Sequence, residues 1–275
     1  MPTSPSPSPS PSAAAFRDPP SSFRPTGLYW LNDVIVPEVV AEQLAAFRDK
    51  DGYGSLAILP VAEYWEDGFL EKYGQLLECL SALGMWAMFC DDKSFPSGSA
   101  GGVIAKEHPE WCARQIYKSA WEVSGPSTHD EELPPGTLLA CVAMDRHDHA
   151  RRIDLTAHAR QGKLAWDVPE GDWTILVFVC RRSMDALDYL NPAAVDGWIR
   201  LTYQRFYDRF PEHFGTTIKC SFYDDISLYQ ACPALWNGDE HACWTDGMHA
   251  AFKAKYGVDP TLLYPALWYD IGAET

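Results

Sequence analysis

The residues best suited to chemistry stand at the end of a short apolar run. Thr217 to Asp225 reads Thr-Ile-Lys-Cys-Ser-Phe-Tyr-Asp-Asp, β-prone at first and closed by two carboxylates. That pattern predicts a buried parallel strand over 217–223 with a charged tip where the chain leaves the sheet. Asp224 and Asp225 then lie at the carboxyl end of the strand, where open α/β sheets and α/β barrels carry their chemistry. Alternate strand residues face opposite sides, so at most one of the two can point along a barrel interior while the strand stays regular. A second acidic pair, Asp91-Asp92, ends the apolar run Met85-Trp-Ala-Met-Phe-Cys90. Paired carboxyls at strand ends suit general acid–base hydrolysis, one protonating a leaving oxygen and the other activating water or attacking. In that chemistry Asp225 is the candidate acid, its pKa raised by its like-charged neighbour, and Asp92, or a carboxyl from a later strand absent here, the second carboxyl. Asp91 and Asp224 are candidate substrate contacts, with Trp30 as a stacking ring and Asn32 as an amide for hydroxyls.

The elements that must position these residues alternate. Strands are expected over 27–33, 55–61 and 85–90. Helices are expected over 37–51, opened by Pro37 and closed by Gly52, and over 67–83, with Leu70, Tyr73, Leu77 and Leu80 at helical spacing and Gly84 as cap. Strand–helix alternation implies a parallel sheet with right-handed crossovers. It breaks at about residue 110, where a β-rich stretch to about 182 reads as an inserted antiparallel module. Asn191-Pro192 then opens a long helix, with Val195, Ile199, Thr202 and Phe206 on one face. A short helix, Met248 to Tyr256, stops at Gly257, and Asp259 to Tyr269 reads as helical. Residues 1–22, Ser-Pro repeats followed by Ala and Pro, form a tail expected to be disordered.

Composition narrows the function classes. The formal charge of −16 argues against nucleic acid, which needs a basic stripe, and against anionic membrane surfaces. No apolar run reaches the length of a membrane span, and no signal peptide opens the chain, which leads to a cytoplasmic expectation. The 8 Cys are scattered without CxxC and read as buried free thiols in a reducing compartment. Aromatics at 13%, with 11 Trp, suit either a sugar-binding cleft or core filling.

Other motifs carry less. The run Phe95-Pro-Ser-Gly-Ser-Ala-Gly-Gly102 lacks a following Lys-Ser/Thr and a GxGxxG, so it is no phosphate cradle. The cluster Asp145-Arg-His147-Asp148-His149 has metal-ligand residue types but falls in an expected hairpin tip, where a solvated loop is the reading. There is no HExxH and no G-x-S-x-G. No cofactor is called for, though strand-end carboxylates could hold Ca²⁺.

Five segments in order resemble a known group: Tyr29-Trp-Leu-Asn-Asp33; Asp91-Asp92 leading into Pro96-Ser-Gly98 and Ala100-Gly-Gly102; Asp188-Tyr-Leu-Asn-Pro192; the strand into Asp224-Asp225; and Lys255-Tyr-Gly257. Together they resemble bacterial and fungal glycoside hydrolases related to the α-L-rhamnosidase family 106, collinearly from about Arg24 to Thr275. The resemblance implies a (β/α)₈ TIM-barrel catalytic domain with a β insertion after an early strand, acting on a glycoside or oligosaccharide. In those relatives the third strand commonly ends Tyr-Asp-Glu and the fourth Thr-Asp-Glu-Pro. Here the matching residues are Cys90-Asp91-Asp92 and Tyr223-Asp224-Asp225-Ile226. An Asp sets its carboxyl back by ~1 Å, which can cost on the order of a hundredfold in rate. A full barrel takes about 250 residues without insertions. The chain is therefore expected to hold an incomplete barrel, divided as a tail to 22, a first barrel part over 23–109, the insertion over 110–182 and a truncated continuation over 183–275. Two alternatives stay open: a non-catalytic carbohydrate-binding remnant, and a metal-dependent α/β hydrolase built on Asp91, Asp92 and Asp224.

Overall fold

The computed structural model describes residues 12–31, 35–60, 67–93, 96–224 and 241–272. In chain order the elements are α1 (Ala13–Arg17), β1 (Thr26–Leu31), α2 (Pro37–Asp49), β2 (Ser55–Pro60), α3 (Asp67–Ala82), β3 (Trp86–Cys90), α4 (Val103–Glu107), β4 (Cys112–Glu132), β5 (Thr137–Asp145), β6 (Arg152–Asp154), β7 (Ala159–Arg160), β8 (Lys163–Leu187), α5 (Pro192–Leu201), α6 (Tyr203–Arg209), β9 (Ile218–Phe222), β10 (His241–Trp244) and α7 (Met248–Tyr256). The chain divides into two compact units, residues 1–101 with 198–226, and residues 102–197 with 227–275.

The first unit is built on a parallel sheet in the order β1-β2-β3-β9. Its register aligns Gly27 with Leu56, Leu56 with Ala87 and Ala87 with Ile218, and one step on Tyr29 with Ile58, Ile58 with Phe89 and Phe89 with Ser221. Most of these side chains face one core, which they share with Val40 and Leu44 of α2, with Phe69, Tyr73, Leu76, Leu77 and Leu80 of α3, and with Phe206 of α6. The helices form where the sequence places them: Pro37 opens α2, and Gly52 and Gly84 follow α2 and α3 at φ 76° and 68°, values that suit a residue without Cβ. The opposite face of the sheet is uneven: Leu28 and Trp30 of β1 are exposed while Ala57 and Leu59 of β2 are buried. The β/α order agrees with the sequence reading; closure into a barrel is not seen among the described residues, where β1 and β9 are the end strands.

Three expectations are corrected in this unit. The strand into Asp224 is buried only at its start; Lys219 and Cys220 are exposed because β9 is an end strand. The long helix breaks at Thr202, whose φ and ψ are −106° and −73° and whose hydroxyl donates to the Trp198 carbonyl. Its buried side chains are Ala194, Trp198, Thr202 and Phe206, at i, i+4 spacing, with Ile199 exposed. Within the tail, Ser12 caps α1, and the Ser21 carbonyl accepts the indole N–H of Trp86 at 3.3 Å, so this part is docked rather than disordered.

The second unit is antiparallel, in the order β10-β4-β8-β5-β6, with β7 on β8. The long strands β4 and β8 pair from Cys112↔Leu187 to Glu132↔Lys163, and the residues on their two faces feed separate cores, one around Phe178 and Tyr264, the other around Trp173 and Ile175. β10 pairs with β4, and Tyr264 and Ile271 enter the first of these cores. Residues 241–272, read from sequence as barrel continuation, thus belong to this unit, because edge pairing and an apolar face available on β4 and β5 outweigh the local β/α pattern. Asp259 to Tyr269 is a 3-10 helix over Pro260–Leu267, not an α-helix, with Pro265 inside it.

Among the cysteines, Cys90, Cys112, Cys141 and Cys180 are free and buried, Cys79 is free and partly buried, and Cys220 is free and exposed. Cys243 is disulfide-bonded, against the expectation of thiols throughout. Among the described residues no helix is long and apolar enough to cross a membrane.

Candidate functional site

The carboxyl ends of β3 and β9 lie side by side. Cys90 pairs with Phe222, and the Asp91 N–H donates to the Phe222 carbonyl at 3.3 Å. Parallel neighbours bring their acidic tips to one end of the sheet, so Asp91, Asp92 and Asp224 meet there. Trp30, 52% exposed, stands near the same end of β1, two strands from β3, about 10 Å away at ordinary strand spacing. Asp225 and Asn32 lie outside the described residues.

The three described carboxyls differ in what surrounds them. Asp92 is enclosed by donors from the turn that follows it. Its Oδ1 accepts from the N–H of Lys93 at 2.7 Å, the N–H of Gly101 at 2.8 Å and the hydroxyl of Ser99 at 2.9 Å. Its Oδ2 accepts from the N–H groups of Gly98, Ser99 and Ala100 at 2.9, 2.6 and 2.8 Å. Six donors exceed the roughly four lone-pair sites of a carboxylate. The turn closes this way because Gly98, Ala100, Gly101 and Gly102 all hold positive φ, 111°, 49°, 63° and 92°, which aims successive N–H groups inward. The glycines of this run therefore serve a carboxylate of the chain itself. Asp92, read from sequence as a catalytic carboxyl, has no acceptor capacity left for substrate or water.

Asp91 is fully buried. Its Oδ1 accepts from the Ser97 hydroxyl at 2.7 Å and its Oδ2 from the Tyr203 hydroxyl at 3.5 Å. Burial pushes its pKa up to about 6, against the Ser97 hydrogen bond and with the help of the Asp92 charge. The same burial raises the neighbouring Cys90 thiol to about 12 and the Tyr203 hydroxyl above its ordinary value. Tyr203 comes from α6, packs edge-on against Phe89 at 5.1 Å between ring centroids, and its hydroxyl oxygen also lies 3.5 Å from that of Ser221, which can donate to it while the single phenolic hydrogen faces Asp91. Asp91 lies beneath the tip, does not reach solvent, and gives up its proton at higher pH than an ordinary carboxyl.

Asp224 is partly exposed, and its backbone is tied down by Ser97. The Ser97 N–H donates to the Asp224 carbonyl at 2.9 Å, and the Asp224 N–H donates to the Ser97 hydroxyl oxygen at 3.0 Å. Ser97 and Tyr203 were not singled out from sequence. Ser97 had a signal, six residues after Asp91 in the Pro-Ser-Gly turn; Tyr203 had none.

The Asp145-to-His149 cluster is a hairpin turn in the second unit. Asp145 Oδ1 accepts from the N–H of His147 and of Asp148, and its Oδ2 from Arg151. The His147 imidazole, 80% exposed, sits 3.3 Å from Asp172. Among the described residues no group of three or more His, Cys, Asp or Glu side chains is arranged to hold a metal. With both oxygens of Asp92 facing donors, a Ca²⁺ at the strand tips lacks that ligand.

No family model matches the chain, and no curated protein matches it. Among solved structures, a rhamnosidase from Novosphingobium sp. PP1Y is similar, at 12% sequence identity and a TM-score of 0.61, over 92% of this chain and 42% of that one. At this identity the likeness concerns the fold alone; in this chain that fold holds one parallel and one antiparallel sheet. The chain spans less than half the length of that protein.

Proposed function

We propose that this chain handles saccharides at the carboxyl end of its parallel sheet, as a glycoside-hydrolase-like protein cleaving an O-glycosidic bond, with an α-L-rhamnoside as the first substrate to test. The observation that carries this reading is the meeting of two acidic strand tips at one end of a parallel sheet, in a chain whose fold resembles that of a rhamnosidase. In this reading the parallel sheet is the opening part of a (β/α) barrel, and Asp225 is the general acid. Of the three described tip carboxyls, only Asp224 is neither saturated nor fully buried, and it is the substrate contact. Trp30 supplies a ring for stacking. Asp92 leaves the reaction and anchors the turn; Asp91 lies beneath it as support.

The test is hydrolysis of p-nitrophenyl α-L-rhamnopyranoside within a panel of aryl glycosides. Turnover by the native chain, reduced at least a hundredfold in Asp225→Asn, is the expected result; a native chain that turns over no member of the panel overturns the enzymatic reading.

The saturation of Asp92 favours a second reading, a carbohydrate-binding protein without turnover. Titration calorimetry with a rhamnose-containing oligosaccharide separates the two: binding that depends on Trp30, with no product formed, supports it.

A further inference from the structure

We infer that Ser97 is the positioning residue of the β9 tip, fixing the backbone from which Asp224 projects, and that Asp92 serves it by holding the turn that carries it. The inference rests on the saccharide-cleaving reading for its catalytic half only.

Ser97 is 1% exposed, and its N–H and hydroxyl reach across more than a hundred residues of chain to Asp224 and back to Asp91. Its N–H and hydroxyl oxygen grip both the carbonyl and the N–H of Asp224, while its hydroxyl hydrogen goes to Asp91 at 2.7 Å. A hydroxyl donates one hydrogen and accepts on its lone pairs, so one side chain joins the β3 tip to the β9 tip without conflict. β9 needs this because it is an end strand among the described residues, joined on one side only. Its ladder with β3 stops at Phe222, so the two bonds from Ser97 continue the pairing beyond the strand.

Ser97 can do this only if the turn after β3 holds its shape. Four consecutive N–H groups, from Gly98 to Gly101, point at the Asp92 carboxylate, directly after Ser97. The sequence of constraint is therefore Asp92, the turn, Ser97 and Asp224. A displacement of about 1 Å at a group that positions substrate costs on the order of a hundredfold in rate.

The experiment compares the full chain with Ser97→Ala and Ser97→Thr by hydrogen exchange of peptides covering 217–226 and by steady-state kinetics on the aryl glycoside that the native chain turns over. The expected result for Ser97→Ala is at least tenfold faster exchange at the Asp224 amide and at least a tenfold lower kcat/KM carried mainly by KM, because Asp224 is the substrate contact. Ser97→Thr, which keeps the hydroxyl, restores both. Unchanged exchange in Ser97→Ala overturns the inference; faster exchange with unchanged kcat/KM overturns its catalytic half. A native chain without glycosidase activity overturns the saccharide-cleaving reading and that same half, while the exchange comparison still decides whether Ser97 holds the tip. Should Ser97→Ala give no folded chain, Ser97→Cys keeps the volume, weakens both hydroxyl bonds, and carries the same two readings.

Discussion

Ala100 donates its N–H to Asp92 Oδ2 at 2.8 Å from a backbone φ of 49°, a left-handed conformation held by a fully buried residue other than glycine. Such a conformation persists only where surrounding bonds over-determine it. Here the determinant is the Asp92 carboxylate, whose two oxygens each face three donors. In Asp92→Asn one oxygen becomes an NH₂ that confronts three donors in place of accepting them. We expect a loss of about 3 kcal/mol or more of unfolding free energy, since buried donors are left unpaired beside a bond set that was charge-assisted. Urea unfolding measures it; a midpoint within error of the native chain would remove Asp92 from the anchoring role.

The burial of Asp91 makes stability depend on pH with a defined sign. Its folded pKa, about 6, exceeds the ordinary aspartate value of 3.8. The unfolded chain therefore releases this proton before the folded chain does. The contribution of Asp91 is fully present below about pH 4 and lost as pH rises to and through 6, by on the order of 2–3 kcal/mol. Asp91→Asn retains an acceptor for Ser97 and removes the ionisation. Relative to the native chain, it gains stability progressively from pH 4 to 7. A difference between the two that stays flat over that range would contradict this account.

Gly54 has no room for a side chain. A Cβ there meets the Ser21 carbonyl oxygen at 2.1 Å and Arg24 Cβ at 2.8 Å. Gly54→Ala must push residues 21–24 off the amino-terminal end of the sheet, and we expect a destabilisation of about 2 kcal/mol or more. Thermal unfolding checks this, and proteolysis between residues 12 and 24 should accelerate in the same variant. An unshifted melting temperature would show that the segment is not docked as described.

Trp30 contributes little to the core. It is 52% exposed and lies on an end strand, beside Leu28 on the same face. Trp30→Ala is expected to change stability by under about 1 kcal/mol while weakening saccharide binding by about 1 kcal/mol or more, the scale of a lost ring contact. Calorimetry on the same sample as the unfolding curve tests both; equal affinity in the variant removes Trp30 from the site.

Much of the framework was legible without coordinates. Pro37, Gly52 and Gly84 punctuate α2 and α3, and the apolar runs ending at Cys90 and Phe222 announce strands that meet polar ends. These are local signals, set by backbone freedom and by periodicity, and they survive folding intact. The pairing of β10 with β4 and the break at Thr202 were not legible, because an edge partner and a hydroxyl-to-carbonyl bond depend on neighbours brought in by the rest of the chain.

The amino-acid order alone determined that two Asp pairs follow apolar β-prone runs, and hence that they would stand at strand ends. Only the tertiary structure decided that the members of one pair are unlike. Asp91 turns into the packed layer between the sheet and α6, where desolvation raises its pKa, and Asp92 turns into a ring of N–H groups that saturates it. Both stand in the turn just past the end of β3, where adjacent identical side chains meet different surroundings, and what each meets is a matter of packing.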